Sequence, residues 1–291
     1  MLGDVLDVLA CPVCGGGLAV AGQVVRCAQR HSFDVARQGY VSLLSGSRSP
    51  GTADTAAMVA ARDDFLSAGH YAPLAARLAE LAAAPSGGVV LDAGAGTGYY
   101  LAAVLGETGA RGVALDISKH AIRRAARAHP LAGAVVADVW HGLPVKDASA
   151  DVVINVFAPR NGAEFARVLR PGGRLVVVTP AAGHLASLVE RLGLLSVDEH
   201  KERRVEERLG RWFTEVSGER LEFGMTLDAD AVAAVVGMGP SAWHRDRADA
   251  PEASGVSGAP AETVTASFVL TTYSPCLSSK AIHDQASYLT D

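Results

Sequence analysis

The stretch "VLDAGAGTGYY", Val90 to Tyr100, decides the fold. It begins as a short, nearly all-apolar run, and such a run predicts a strand covered on both faces, as in a parallel sheet. Three glycines follow at every second position, Gly94, Gly96 and Gly98. Glycine permits positive φ and lets the backbone approach a ligand closely. The loop falls where the first strand turns into the first helix, and open parallel sheets bind ligands at that carboxyl end. It is not the dinucleotide fingerprint G-x-G-x-x-G, because the last position of that pattern is Tyr99.

Downstream, four more apolar runs, "RGVALD", "GAVVAD", "ADVVINVF" and "RLVVVTP", alternate with helical patterns. The helices are predicted from Tyr99 to Glu107, over "SKHAIRRAARAHP" with Ser118 as N-cap, and over "NGAEFARVLRPGG" running into a turn. Strands alternating with helices imply a parallel sheet with right-handed crossovers. After Pro180 the pattern loosens. "HLASLVERLGLL" and "DEHKERRVEERLGRWF" read as helices, and "SGERLEFGMTL" and "ETVTASFVLTTY" as late antiparallel strands. Upstream, "TAAMVAARDDFLSAG" and "YAPLAARLAELAAA" have helical spacing. The segments "SGSRSPGTADT" and "RDRADAPEASGVSGAP" read as linker and loop.

The first 46 residues have a different texture. Cys11, Cys14, Cys27 and His31 form C-x2-C-x12-C-x3-H, two tight ligand pairs joined by a loop. Four soft or borderline ligands favour zinc, and a filled ligand set makes the metal structural rather than reactive. So small a segment has little core of its own, and the metal would supply much of its folding energy.

The 291 residues suit one large domain plus a small one. Apolar residues make up 49% of the chain, enough for a core, and the net charge of −5 announces no global affinity for nucleic acid. Four cysteines, three of them clustered, are too few for a disulfide scaffold. The start "MLGDVLDVLACPVC" lacks a basic lead and a long apolar core, and no apolar run is long enough to span a membrane. The expected location is therefore cytoplasmic. The expected organisation is a ribbon-like zinc domain over 1–46, a linker and helices over 47–84, the α/β domain over 85–275, and a disordered tail over 276–291. The family resemblance below implies RNA recognition for the first, a lid for the second and catalysis for the third.

The spacing Asp-x-Gly-x-Gly-x-Gly, with Asp92 two residues before Gly94, resembles the first motif of the class I S-adenosyl-L-methionine (SAM)-dependent methyltransferases. That resemblance implies an α/β, Rossmann-like fold, with a loop that holds the amino-acid moiety and sulfonium of SAM. An acid beside the loop suits this cationic ligand. Asp116, ending the second strand about 20 residues beyond the glycines, is placed to accept ribose hydroxyls. Asp138, ending the third, is a candidate neighbour of the adenine amino group, directly or through its backbone. No cysteine lies in the methyltransferase core, which argues against covalent catalysis through a cysteine and leaves direct in-line transfer to nitrogen or oxygen. No catalytic base is identified. Asn155 and Arg160 are expected in the substrate-facing loop, and His184 is read as a SAM neighbour before a base.

"CPVC", "CAQRHSFDVARQGYVSLL", "ARDDFLSAGHYAPL", "LDISKHAIRRAAR", "FAPR", "RVLRPGG" and "TPAAGHL" together resemble the zinc-containing 23S rRNA (guanine-N1-)methyltransferases, over about residues 8–245. The resemblance implies methyl transfer to N1 of one guanosine in a 23S rRNA hairpin loop at the macrolide-binding region, with macrolide (tylosin) resistance as the cellular consequence. It implies zinc on Cys11, Cys14, Cys27 and His31, and SAM contacts from Tyr71, Gly98, Tyr99 and His184. One chain or a homodimer on each RNA both fit it. A class I enzyme acting on another RNA or a small molecule, and a non-catalytic SAM-sensing RNA-binding protein, are the competing readings. RNA would need local positive charge. Arg26, Arg30, Arg37 and Arg48 supply a slight excess around the zinc module. Lys119, Arg123 and Arg127 line one helix face, and Lys201, Arg203, Arg204, Arg208 and Arg211 form a third cluster. Phe33 and Tyr40 are candidates for base stacking or, more simply, for core packing.

Overall fold

A computed structural model describes residues 1–44, 53–193, 209–239 and 261–276. The chain opens with a 3-10 turn, Leu2–Val5. Strands β1 (Leu18–Ala21), β2 (Val24–Cys27) and β3 (Ser32–Asp34) form a small antiparallel sheet. The two-residue β4 (Val41–Ser42) follows, then helices α1 (Ala56–Ser67) and α2 (Ala72–Leu81).

The alternating part runs β5 (Val89–Ala93), α3 (Tyr99–Thr108), β6 (Arg111–Asp116), α4 (Lys119–Ala128), β7 (Ala132–Val136), β8 (Ala150–Val156), α5 (Gly162–Val168) and β9 (Leu169–Pro180). Then come α6 (Ala186–Leu192), β10 (Phe213–Leu227), α7 (Ala229–Gly237) and β11 (Glu262–Pro275).

Eight strands form one sheet in the order β10-β11-β9-β8-β5-β6-β7-β4. From β4 to β9 the pairings are parallel, and β11 and β10 close the far edge antiparallel. The chain winds from β5 outward to β7, then returns to lay β8 on the other side of β5. That reversal opens a crevice at the carboxyl ends of β5 and β8, directly at the glycine loop.

The all-apolar strands alternate between two buried faces. Val90, Ala114, Ala134, Val136, Val152, Ile154, Val176 and Val178 pack towards α1 to α4, α6 and α7. Leu91, Val113, Leu115, Val135, Val153, Leu175 and Val177 pack on the opposite face, with α5 and the N-terminal segment. That segment joins the main core rather than hanging beside it. Leu2, Val5, Leu6, Cys11 and Cys27 belong to the second face's cluster. Gly133 makes the approach possible, because a Cβ there would lie 2.3 Å from Val5 Cγ2. β4 adds to the sheet edge, Val41 opposite Val135. Phe33 and Tyr40 both pack against the cores, the simpler of their two readings.

Two expectations need correction. The "RPGG" turn is part of β9, which starts at Leu169 opposite Ala150 and shifts register before Val152. Pro171 lacks an N–H, and Gly172 has φ 79°, so this stretch bulges instead of laddering. The helix expected to end at Phe213 does not reach it, because Phe213 already pairs with Pro275 in β10. The rest of that helix, Arg48, the boundary at residue 46, Lys201 to Arg208, the 245–260 loop and the tail beyond Cys276 lie outside the described residues. Among the described residues no helix is long and apolar enough to cross a membrane.

Candidate functional site

Cys11, Cys14, Cys27 and His31 converge, their ligand atoms all within 4.8 Å of one another. Tetrahedral zinc with the usual bond lengths needs S···S edges of about 3.8 Å and S···N edges of about 3.6 Å. Cys14 Sγ and Cys27 Sγ are 3.7 Å apart. His31 Nδ1 lies 3.6 Å from Cys11 Sγ and 3.3 Å from Cys27 Sγ. The site thus fits the metal in ligand type, number and spacing. Two similar turns build it. Gly15 N donates to Cys11 O at 2.8 Å, and Arg30 N to Cys27 O at 2.9 Å. Each turn needs a left-handed residue, Gly15 at φ 72° and Arg30 at φ 67°. Desolvation works against a thiolate at Cys27, but the hydrogen bonds reaching its sulfur, first the one from the His31 backbone, outweigh it and hold the thiol at about 7. A thiol poised there favours the metal-binding form.

The second site surrounds the glycine loop. Gly94, Gly96 and Gly98 all have positive φ. A Cβ on Gly94 would meet Ala158 Cβ at 2.3 Å, so the loop after β8 seats directly on it. A Cβ on Gly98 would lie 2.9 Å from Ala125 Cα, so this glycine brings α3 against α4. Gly96 N donates to Asp116 Oδ2 at 2.8 Å, and Ser118 N to Oδ1 at 2.8 Å. Asp116 therefore ties the loop to the end of β6 while each oxygen keeps a lone pair. Desolvation raises its carboxyl, against those two hydrogen bonds.

Asp92 is 1% exposed, and neither carboxylate oxygen has a hydrogen-bond partner. Burial, with Asp116 nearby, pushes its carboxyl up to about 8. Tyr100 Oη is likewise buried without a partner, within electrostatic reach of Asp92, Tyr71, Tyr99 and Arg62. Buried acceptors without donors are costly and call for a missing partner. A ligand carrying positive charge beside a hydrogen-bonding ribose answers both groups, and SAM is such a ligand. Tyr100 and Arg62 stand out only in the structure. Tyr100 sits in the quoted motif beside Tyr99, but sequence spacing does not tell which ring turns inward.

Tyr71 N-caps α2 and is buried, and burial raises its hydroxyl. Its Oη lies 3.2 Å from His184 Nε2, 113 residues away in sequence. Ser267 N donates to His184 Nδ1 at 3.2 Å. An Nδ1 that accepts leaves the proton of a neutral ring on Nε2, directed at Tyr71. Helix α1 covers the loop from above. Arg62 pairs with Asp54 and donates to Met238 O at 3.1 Å, and Asp63 pairs with Arg124 of α4. A Cβ on Gly96 would come within 3.6 Å of Arg62 Nη1, which sets the guanidinium over the loop.

Asn155 is placed differently from expectation, inside β8 and not in the loop that follows it. Asn155 is fully buried and fastens the loop, its Nδ2 donating to Ala93 O at 2.8 Å and Pro159 O at 2.9 Å. Asp138 turns its carboxylate back on its own turn, accepting from Trp140 N at 2.9 Å and pairing with His141 Nδ1 at 2.8 Å. Cys276 lies beside Thr214 on the outer hairpin, away from the crevice.

Comparison with known proteins finds relatives for both regions of the chain. Residues 9–46 match the family described as "RlmA, N-terminal", a zinc ribbon, and residues 91–177 match a "Methyltransferase domain" family. The chain is 52% identical over 250 residues to the 23S rRNA (guanine(748)-N(1))-methyltransferase of Streptomyces fradiae, covering 84% of this chain and 88% of that one. A Micromonospora griseorubida protein assigned by name to the 23S rRNA (guanine-N(1)-)-methyltransferases is 51% identical over 293 residues, 94% of this chain and 99% of its own. A Bacillus subtilis protein so assigned is 32% identical over 248 residues, 80% and 86% of the two chains. With a zinc ribbon, a SAM-dependent methyltransferase core and relatives matched along most of their length, the chain belongs to the 23S rRNA (guanine-N1-)methyltransferase family.

Proposed function

We propose that this chain methylates N1 of one guanosine in a 23S rRNA hairpin loop near the macrolide site, in the cytoplasm, and that this protects the ribosome from tylosin-type macrolides. The observation that carries the reading is the pairing, across the two faces of one sheet, of a Cys3His cluster with a cation-seeking acidic pocket at the glycine loop. Guanosine 748, the position in the name of the Streptomyces fradiae relative, is the expected target.

SAM supplies an electrophilic methyl group on a sulfonium. Asp92 and Tyr100 would meet its charged and polar end, Gly94, Gly96, Gly98 and Tyr99 would line it, and Asp116 would accept from its ribose. Tyr71, held by His184, would close it from the lid side. Transfer is direct and in line, because no thiol stands near the crevice: the N1–CH3 bond forms as the S–CH3 bond breaks, S-adenosyl-L-homocysteine leaves, the N1 proton passes to bulk solvent, and the rate relies on positioning. His184 keeps its proton towards Tyr71 and serves as a positioning residue rather than a base. The zinc is structural. It holds residues 1–46 as an RNA-recognition unit, residues 47–84 act as linker and lid, and residues 85–275 carry the reaction. Arg26, Arg30 and Arg37 are exposed and make no ion pair among the described residues, which leaves them for phosphates. Two chains sharing one hairpin is the arrangement we test against a single chain. Sedimentation of the protein with and without hairpin RNA reads it directly.

The test is mass-spectrometric mapping of 23S rRNA from cells with and without the gene. N1-methylguanosine at one hairpin position, present only with the gene, supports the reading. Its absence removes it.

A further inference from the structure

The loop after β8 carries a residue that neither fold nor cofactor explains. Phe157 takes φ 53°, a left-handed conformation that bulky residues rarely adopt. Strain of this kind persists only where the surroundings impose it, and it clusters at functional sites. Here they do. Phe157 N donates to Val178 O at 3.2 Å, Asn155 pins the loop on both sides of the ring, and Ala158 is wedged against Gly94. The backbone reversal breaks the in-out alternation of the strand, which had just buried Val156.

The ring ends half in and half out, 42% exposed, a large apolar side chain at the mouth of the crevice. From behind it is held by Phe268 at 5.5 Å, Tyr100 at 6.2 Å and Tyr71 at 6.5 Å between ring centroids. A ring so backed is a rigid platform with an open side. A planar heterocycle is the ligand that gains most from it, since stacking needs a π-face and costs a preorganised ring little entropy. Sequence-specific RNA enzymes splay a base out of its loop, and an unstacked base needs a new stacking partner.

We propose that Phe157 is the stacking platform for the substrate guanine, holding the base beside the cofactor loop. The inference rests on the RNA-methylating reading above and names the residue that receives the base. Loss of one base–aromatic stack lowers kcat/KM about five- to 150-fold.

The experiment uses the full zinc-loaded chain, SAM and a transcript of the hairpin, with a second transcript carrying 2-aminopurine at the target position. Phe157→Leu is expected to lower kcat/KM on the hairpin about ten- to a hundredfold while SAM affinity stays within about twofold of wild type. Phe157→Trp keeps most activity. Wild type and Phe157→Trp quench the 2-aminopurine fluorescence, and Phe157→Leu leaves it bright. If Phe157→Leu does not fold, Phe157→Gly, which suits the left-handed backbone, replaces it. The proposal is overturned if the leucine or glycine variant keeps kcat/KM within about twofold, or if SAM affinity falls in step with activity. A wild-type protein inactive on the hairpin would instead remove the RNA reading on which the proposal rests.

Discussion

Asp92→Asn should make the SAM-free protein more stable and the SAM-bound protein harder to form. Asp92 is buried with both oxygens unpartnered, and its carboxyl sits at about 8 against an ordinary 3.8. The folded value is raised, so the folded state holds the proton more tightly than the unfolded chain. Its contribution to stability is complete below the unfolded value and is lost as pH rises towards 8. At about 1.4 kcal/mol per pH unit, the ligand-free fold forfeits at most about 4 kcal/mol between pH 4 and pH 7. Asparagine removes this titration but leaves an unpartnered amide, which costs about 1–3 kcal/mol. The net gain at pH 7 is about 1–3 kcal/mol, and at about 2–4 °C per kcal/mol for a chain of this size the thermal midpoint rises several degrees. The assay is calorimetry of both zinc-loaded proteins without SAM from pH 5 to pH 8, read as a difference curve so that other titrating groups cancel. The gain should grow with pH. In wild type, SAM affinity should rise by up to tenfold per pH unit over the same window, because the cation brings back the carboxylate, and in Asp92→Asn it should be weak and flat. A midpoint that falls on substitution, or a difference curve without slope, would refute the placement of a bare carboxylate here.

Other consequences follow from the same geometry. Metal analysis should find about one zinc per chain, and Cys27→Ser should bring this close to zero with a lower thermal midpoint, because the ribbon shares its core with β6 and β7. Gly98→Ala adds a left-handed alanine whose Cβ meets Ala125 Cα at 2.9 Å, and it should cost about 2–5 kcal/mol in denaturant unfolding. Reversing Arg26, Arg30 and Arg37 to glutamate should weaken hairpin binding and flatten its salt dependence while SAM affinity is unchanged.

What was legible in the sequence was what periodicity and spacing encode. The all-apolar runs specified buried parallel strands, the glycines marked the crevice, and the C-x2-C-x12-C-x3-H spacing named a ligand set that meets in space. Asp92 and Asp116 were chosen from their offsets to the glycines, and both adjoin the loop. Offsets failed where side-chain direction decides. Asn155 turns inward to tie two carbonyls. Tertiary contacts also escaped one-dimensional reading. Arg62 reaches the glycine loop from a helix 34 residues earlier, and Phe157 becomes a platform only through a backbone angle and rings that other elements supply.

The most direct measurement is methyl transfer by the purified chain. It is incubated with isotope-labelled SAM and a 23S rRNA hairpin transcript, the RNA is digested, and the methylated nucleoside is identified by mass spectrometry. Label in N1-methylguanosine at a single position, lost when the target guanosine is changed to adenosine, is the predicted result. Label in another nucleoside, or no label in RNA while SAM binds, would contradict it.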